Sequence, residues 1–161
     1  MALLKFFFLD KKNNPHRVGA PAFIIFNKKT RKILREEWSI HGFHHRLDGP
    51  AIEWNNGVKE WLQNGKHHRV DGPAIEYSVK NNRWYQNGLL HRSDGPAIEH
   101  SDGAKYWYQN GKCHRLDGPA VEYLNGAKAW YIDGKEYSEE EWFEMLTEEQ
   151  KLNYLFKLGE K

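Results

Sequence analysis

A single cysteine, Cys113, stands in the 161 residues, so no internal disulfide framework can staple this chain, and a reducing compartment suits it. No apolar run approaches the roughly 20 residues that a membrane-spanning helix needs. Neither sign of charge dominates: 24 basic against 22 acidic residues leave +2, too weak a field to draw nucleic acid or an anionic membrane. The apolar start from Met1 to Asp10 has no basic leader and no small-residue cleavage site, and it reads as a first strand, not a signal peptide. Hydrophobic content is a low 39%, yet aromatic content is 14%, with 7 Trp and 8 Tyr. The apolar surface is therefore concentrated in flat rings, in a chain of one domain's length with a core of its own. Cytoplasm is the expected compartment.

What the sequence has in abundance is one phrase, His-Arg-x-Asp-Gly-Pro-Ala. It occupies 45–51, 68–74, 91–97 and 114–120, stepping by 23 residues each time, with a degenerate copy at His16-Arg17-Val18-Gly19-Ala20-Pro21-Ala22. A fixed period of this length marks a repeat architecture in which each unit buries its apolar face only against its neighbours. The organisation that follows is an N-terminal strand and turn (1–15), an array (16–137) and a C-terminal helical cap (138–161). Within the array, a degenerate unit (16–44) precedes regular units at 45–67, 68–90, 91–113 and 114–137.

The regular units can be laid on one another, counting the His as position zero. Ala falls at 6, an aliphatic at 7, Glu at 8, Gly at 12, Trp at 16 and Gly at 20. The Trp column is Trp61, Trp84, Trp107 and Trp130, and Trp38 extends it into the degenerate unit; these form the expected structural core of the repeats. Asn-Gly or Asp-Gly pairs precede both glycine positions, and such pairs between short β-rich runs are the strongest hairpin signal. The expected fold is mainly β: an elongated single-layer antiparallel meander of 23-residue hairpin repeats with a short C-terminal helical cap. A two-residue turn at positions 11 and 12 predicts that 7 faces 16, so Ile52 faces Trp61, and that the small Ala at 6 lies opposite Leu62, Tyr85, Tyr108 or Tyr131 at 17. In the second regular unit Lys80-Asn81-Asn82 breaks this turn. Upstream, Ala22–Phe26 and Arg31–Ile40 read as a hairpin turning at 27–30. Downstream, Ser138-Glu-Glu-Glu141 and Thr147-Glu-Glu-Gln150 are capping boxes opening two amphipathic helices, the second carrying Leu152, Leu155, Phe156 and Leu158.

A two-strand, 23-residue unit with recurring Gly, Trp or Tyr and Gly-Lys resembles MORN-type repeats over residues 16–137. The His-Arg-x-Asp-Gly-Pro-Ala form is similar to a variant of uncharacterised bacteriophage and large-virus proteins. The resemblance implies a twisted antiparallel sheet that serves as a binding or assembly surface and catalyses nothing. A phage origin implies a small antagonist of a host or defence protein, acting in the host cytoplasm. The His-Arg and Asp-Gly-Pro elements depart from the usual MORN pattern, so MORN roles such as lipid binding do not carry over.

Several chemistries compete for the repeated rows. His45, His68, His91 and His114 are two strands apart, about 10 Å, too far to share an ion whose ligands must lie about 2 Å from it, so no metal site is expected. Arg46, Arg69, Arg92 and Arg115 sit two residues before an Asp, on the same side of an extended segment, so a salt bridge or a bond to the turn is their first reading. The alternative is an Arg row that reads phosphates or partner carboxylates. Carboxylates come as a periodic column and not as one differently tuned couple, and no nucleophile turn surrounds any Ser or Cys, so no enzyme and no cofactor is expected. What is left is binding through exposed rings and arginines. Tyr85, Tyr108, Tyr131, Arg69, Arg92 and Arg115 are the candidate contacts. A protein partner, either a host protein or a second copy, is expected. A sequestered nucleotide signal and a self-assembling structural role are the alternatives, and nucleic acid is disfavoured.

Overall fold

A computed structural model describes residues 3–79 and 81–159, so Lys80 at the break in the second regular unit lies outside the described residues. The chain forms two compact units, Met1–Leu89 and Leu90–Lys161. Each is built on an open antiparallel sheet of hairpins, and the second ends in two helices.

In the first unit β1 (Leu3–Phe7) pairs with β2 (Phe23–Asn27), and β2 with β3 (Ile33–Glu37); the segment read as one strand to Ile40 breaks after Glu37, and Ser39–Ile40 pairs with Phe43–His44 instead. The turn between β2 and β3 is held by Asn27 Oδ1, which accepts from the backbone N–H of Lys29 and Thr30. The sheet continues through Ile52–Trp54, Lys59–Glu60, Ile75–Glu76 and Asn82–Arg83. The sheet of the second unit runs through Ile98–Glu99, Lys105–Tyr106, Val121–Glu122, Lys128–Ile132 and Lys135–Tyr137.

The register differs from the one the turn residues predict. Ile52 pairs with Glu60, not Trp61, and Val121 pairs with Ala129, not Trp130. The cause is the turn at the first glycine. Gly57 has φ +89°, but Asn56 does not enter the left-handed region; Gly57 N–H donates to the Trp54 carbonyl, and Trp54 N–H to the Val58 carbonyl. This is a three-residue loop, a type I turn closed by a left-handed glycine, and it adds one residue to the hairpin. The second glycine does carry the two-residue turn: Asn64 and Gly65 both have positive φ, 51° and 74°, and Leu62–Gln63 pairs with Lys66–His67.

Each of the first three regular repeats therefore contributes one hairpin to a sheet and one two-stranded ribbon, with the Trp at the bend between them; in the last repeat Lys128–Ile132 runs straight through Trp130 and pairs with Lys135–Tyr137. Ribbons are tied in sequence, since Gly65 N–H donates to His44 O at 2.9 Å and Gly88 N–H to His67 O at 2.8 Å. Trp61 N–H donates to the carbonyl of Ala74 in the next motif, as Trp107 does to Ala120. The motif alanines sit at this junction: Ala51, Ala74, Ala97 and Ala120 are all wholly buried, and Ala51 packs with Ile52 and Leu62.

The C-terminal boxes cap α1 (Glu139–Glu144) and α2 (Glu148–Gly159). Glu141 N–H donates to Ser138 Oγ, and Ser138 N–H to a Glu141 carboxylate oxygen. Trp142, Leu146 and Tyr154 form a buried cluster on Leu116, Trp130, Ile132 and Tyr137, closing the last repeat. The residue α2 buries is Tyr154; Leu152, Leu155, Phe156 and Leu158 face outward.

Candidate functional site

Each motif loop is wound around its own arginine. Arg69 Nε donates to Asp71 at 2.9 Å, and its Nη1 donates to the Pro73 carbonyl at 3.2 Å and to Glu76 at 2.7 Å. Arg46, Arg92 and Arg115 make the same three bonds in their motifs. The guanidinium also stacks on a ring from the preceding unit: Arg46 on Trp38 at 4.1 Å, Arg69 on Trp61 at 4.0 Å and Arg115 on Trp107 at 3.9 Å. The salt bridge expected from motif positions 1 and 3 is thus present four times. It is one part of a clasp that also takes in the turn, the Glu column and the Trp column.

The clasp explains the motif glycine. Gly49, Gly72 and Gly95 have no left-handed φ to satisfy; a Cβ at Gly49 or Gly72 would lie 2.8 Å from the arginine Cζ, closer than van der Waals contact allows. The Asp carboxyls of 48, 71 and 94 are held below the usual carboxylate range, chiefly by the hydrogen bond from arginine Nε. At Asp117 burial pushes the other way, but Lys157 and Arg115 outweigh it, and the net direction is down.

The motif histidines are pegs within their own repeats. His45 Nδ1 accepts the backbone N–H of Asn64 at 3.2 Å, and His68 and His91 receive Asn87 and Asn110 in the same way. His114 accepts the backbone N–H of Asp133. In each case the imidazole fixes the left-handed first residue of the next two-residue turn. The neighbouring His44 and His67 point elsewhere, and each places Nε2 2.6 Å from a carboxylate oxygen, of Glu37 and Glu60. These two pairs are not predicted by the motif. The visible signal is that both positions change together in later repeats, to Leu90 with Arg83 and to Cys113 with Tyr106. Among the described residues, no three His, Cys, Asp or Glu side chains group as metal ligands would.

The candidate contact residues separate into two kinds. Arg69, Arg92 and Arg115 keep only 16–21% of their side-chain surface and are committed to the clasp. Tyr85, Tyr108 and Tyr131 are half-buried, the first two on ribbons and the third on the sheet strand Lys128–Ile132: Tyr85 lies beside the His67 ring, Tyr108 pairs with Cys113, and Tyr131 donates its hydroxyl proton to Glu136, which pushes its pKa up to about 12. What does stand out in solvent is the variable motif residue. Val18, Leu47 and Val70 are 75–78% exposed, beside Asp48 and Asp71, and a groove of about 570 Å³ runs between the last two motifs, floored by Trp61, Gln63 and His68. A similar groove of about 630 Å³ lies between motifs 91–97 and 114–120.

No protein-family model, curated protein or solved structure matches the chain.

Proposed function

We propose that the chain is a non-catalytic repeat scaffold that binds another protein, a MORN-like module of bacteriophage origin that antagonises a bacterial host or defence protein in the host cytoplasm. The observation that supports this reading is the row of exposed Val18, Leu47 and Val70, the last two presented singly on loops clasped from beneath by Arg46 and Arg69. Rigid presentation lowers the ordering cost of association. A nucleotide sponge is less well supported, because each arginine would have to release its Asp, Pro and Glu partners to reach a phosphate.

Affinity capture from bacterial host lysate tests the reading. The wild-type chain retains a specific protein, and Val18→Asp, Leu47→Asp and Val70→Asp together release it while leaving the circular dichroism spectrum unchanged. Tyr85→Ala and Tyr108→Ala report whether the ribbon face takes part. A chain that retains no protein under gentle conditions ends the proposal. Self-assembly is favoured by one separate feature, the exposed Phe6 and Phe7 of the edge strand β1, and light scattering over a concentration series distinguishes it.

A further inference from the structure

The motifs 45–51 and 114–120 share the same seven residues, and the C-terminal helices are seated on the second of them. There Trp142 Nε1 donates to the Arg115 carbonyl at 2.9 Å, and Leu116 packs against the cluster of Trp142, Leu146 and Tyr154. Lys157 Nζ pairs with Asp117 Oδ2, while Arg115 holds Oδ1 of the same carboxylate. The parts of this seat recur three repeats earlier, with Leu47 in the place of Leu116, Asp48 in that of Asp117, and Trp61 in that of Trp130. α1 begins where a further motif would stand, Tyr137 taking the place of His68. So the element that inner motifs lack is α2, with its Tyr154 and Lys157.

The inner seat is uncovered. Leu47 is 76% exposed where Leu116 is half-buried, and the Asp48 side chain is 85% exposed where that of Asp117 is 50%. Asp48 Oδ1 is held by Arg46 Nε as Asp117 Oδ1 is by Arg115 Nε, so the carboxylate is presented in the orientation that receives a lysine at 117. Low pKa keeps it charged at neutral pH. The groove beside it continues to Val70 and Asp71, a second aliphatic and a second carboxylate.

We infer that the groove between motifs 45–51 and 68–74 receives a basic amphipathic helix of a partner protein, with an aromatic side chain over Leu47 and a Lys or Arg three positions later paired with Asp48. The spacing is that of Tyr154 and Lys157, which share one helix face. The match is of charge as well as shape: two outward carboxylates meet a cation, as Asp117 already does within the chain. This inference rests on the protein-binding reading and names where the contact lies and what chemistry it takes.

The probe is a synthetic peptide with the sequence of residues 138–159, titrated into the ¹⁵N-labelled full chain. Amide shifts at Leu47, Asp48 and Val70 and at the Trp61 indole are expected. Leu47→Asp, at an exposed position that does not support the fold, lowers affinity tenfold or more. Asp48→Lys does the same, and a peptide carrying Lys157→Glu restores binding to that variant. Shifts that are absent, or confined to 115–137 where the peptide displaces the chain's own helices, overturn the assignment. Self-association that Leu47→Asp abolishes overturns it too, by giving the groove to a second copy. A host protein captured equally by wild type and Leu47→Asp sinks the groove while the scaffold reading stands.

Discussion

The guanidinium of Arg69 lies 4.0 Å from the centre of the Trp61 ring, so the motif of one repeat is closed over the Trp of the repeat before it. The stack makes the clasp a link between units as well as an internal loop brace. Removing one arginine therefore loosens two repeats, and its cost depends on the glycine that makes room for it.

Arg69 and Gly72 are expected to be coupled. Arg69→Lys keeps the charge but loses the planar fork and the stack, and we expect a loss of about 2 kcal/mol. Gly72→Ala drives a Cβ to 2.8 Å from Arg69 Cζ and should cost about 1–3 kcal/mol by displacing it. In the Arg69→Ala background that obstruction is gone, so Gly72→Ala becomes nearly neutral. Urea unfolding of the four members of this cycle measures the coupling; additive losses would show that the glycine answers to something else.

The His67–Glu60 pair is expected to behave as a unit. Either single change, His67→Cys or Glu60→Tyr, leaves a half-buried partner unmatched and lowers stability by about 1–3 kcal/mol. Making both installs the combination found at Cys113 and Tyr106 and recovers most of the loss. Thermal unfolding of the three variants decides it.

Acid should unfold the array through its aspartates. In the folded chain Asp48, Asp71 and Asp94 titrate below their ordinary range because arginine donates to the ionised form. A depressed folded pKa gives stability that is fully present above the unfolded value of about 3.9 and is lost as pH falls through the folded one. The Tm should hold between pH 7 and 5 and fall steeply below pH 4. Asp71→Asn should flatten that fall, and an unchanged slope would exclude the clasp as its source.

Cys113 should be a slow thiol. Burial, with Glu136 nearby, pushes its pKa up to about 11, and its Sγ lies 3.8 Å from the Ala120 carbonyl. At pH 8 the folded chain then holds about a hundredfold less thiolate than a thiol at the ordinary value. Reaction with a disulfide reagent should be slower than in denaturant by an order of magnitude or more. Equal rates would place the thiol in solvent.

Much of the fold is legible in the sequence because turns and periods are local. Asn64-Gly65 suits a two-residue turn, since both residues accept positive φ, and Ser138 with Glu141 caps a helix from within four residues. The Arg–Asp bridge is likewise two residues long. The register at Gly57 is not legible in this way, because Asn56-Gly57 is compatible with a two-residue and a three-residue loop. Only pairing with the strands on either side selects the latter.

The sequence by itself determined a β-repeat of period 23, its hairpins, its helical end and the arginine row, all from contacts a few residues apart. Tertiary structure alone decided which rings the arginines stack on, which histidine serves as peg and which as carboxylate partner, and that Leu116 is covered while Leu47, in an identical motif, is bare. Those outcomes depend on what a neighbouring element places within a few ångströms of a side chain, and seven identical residues carry no record of their neighbours.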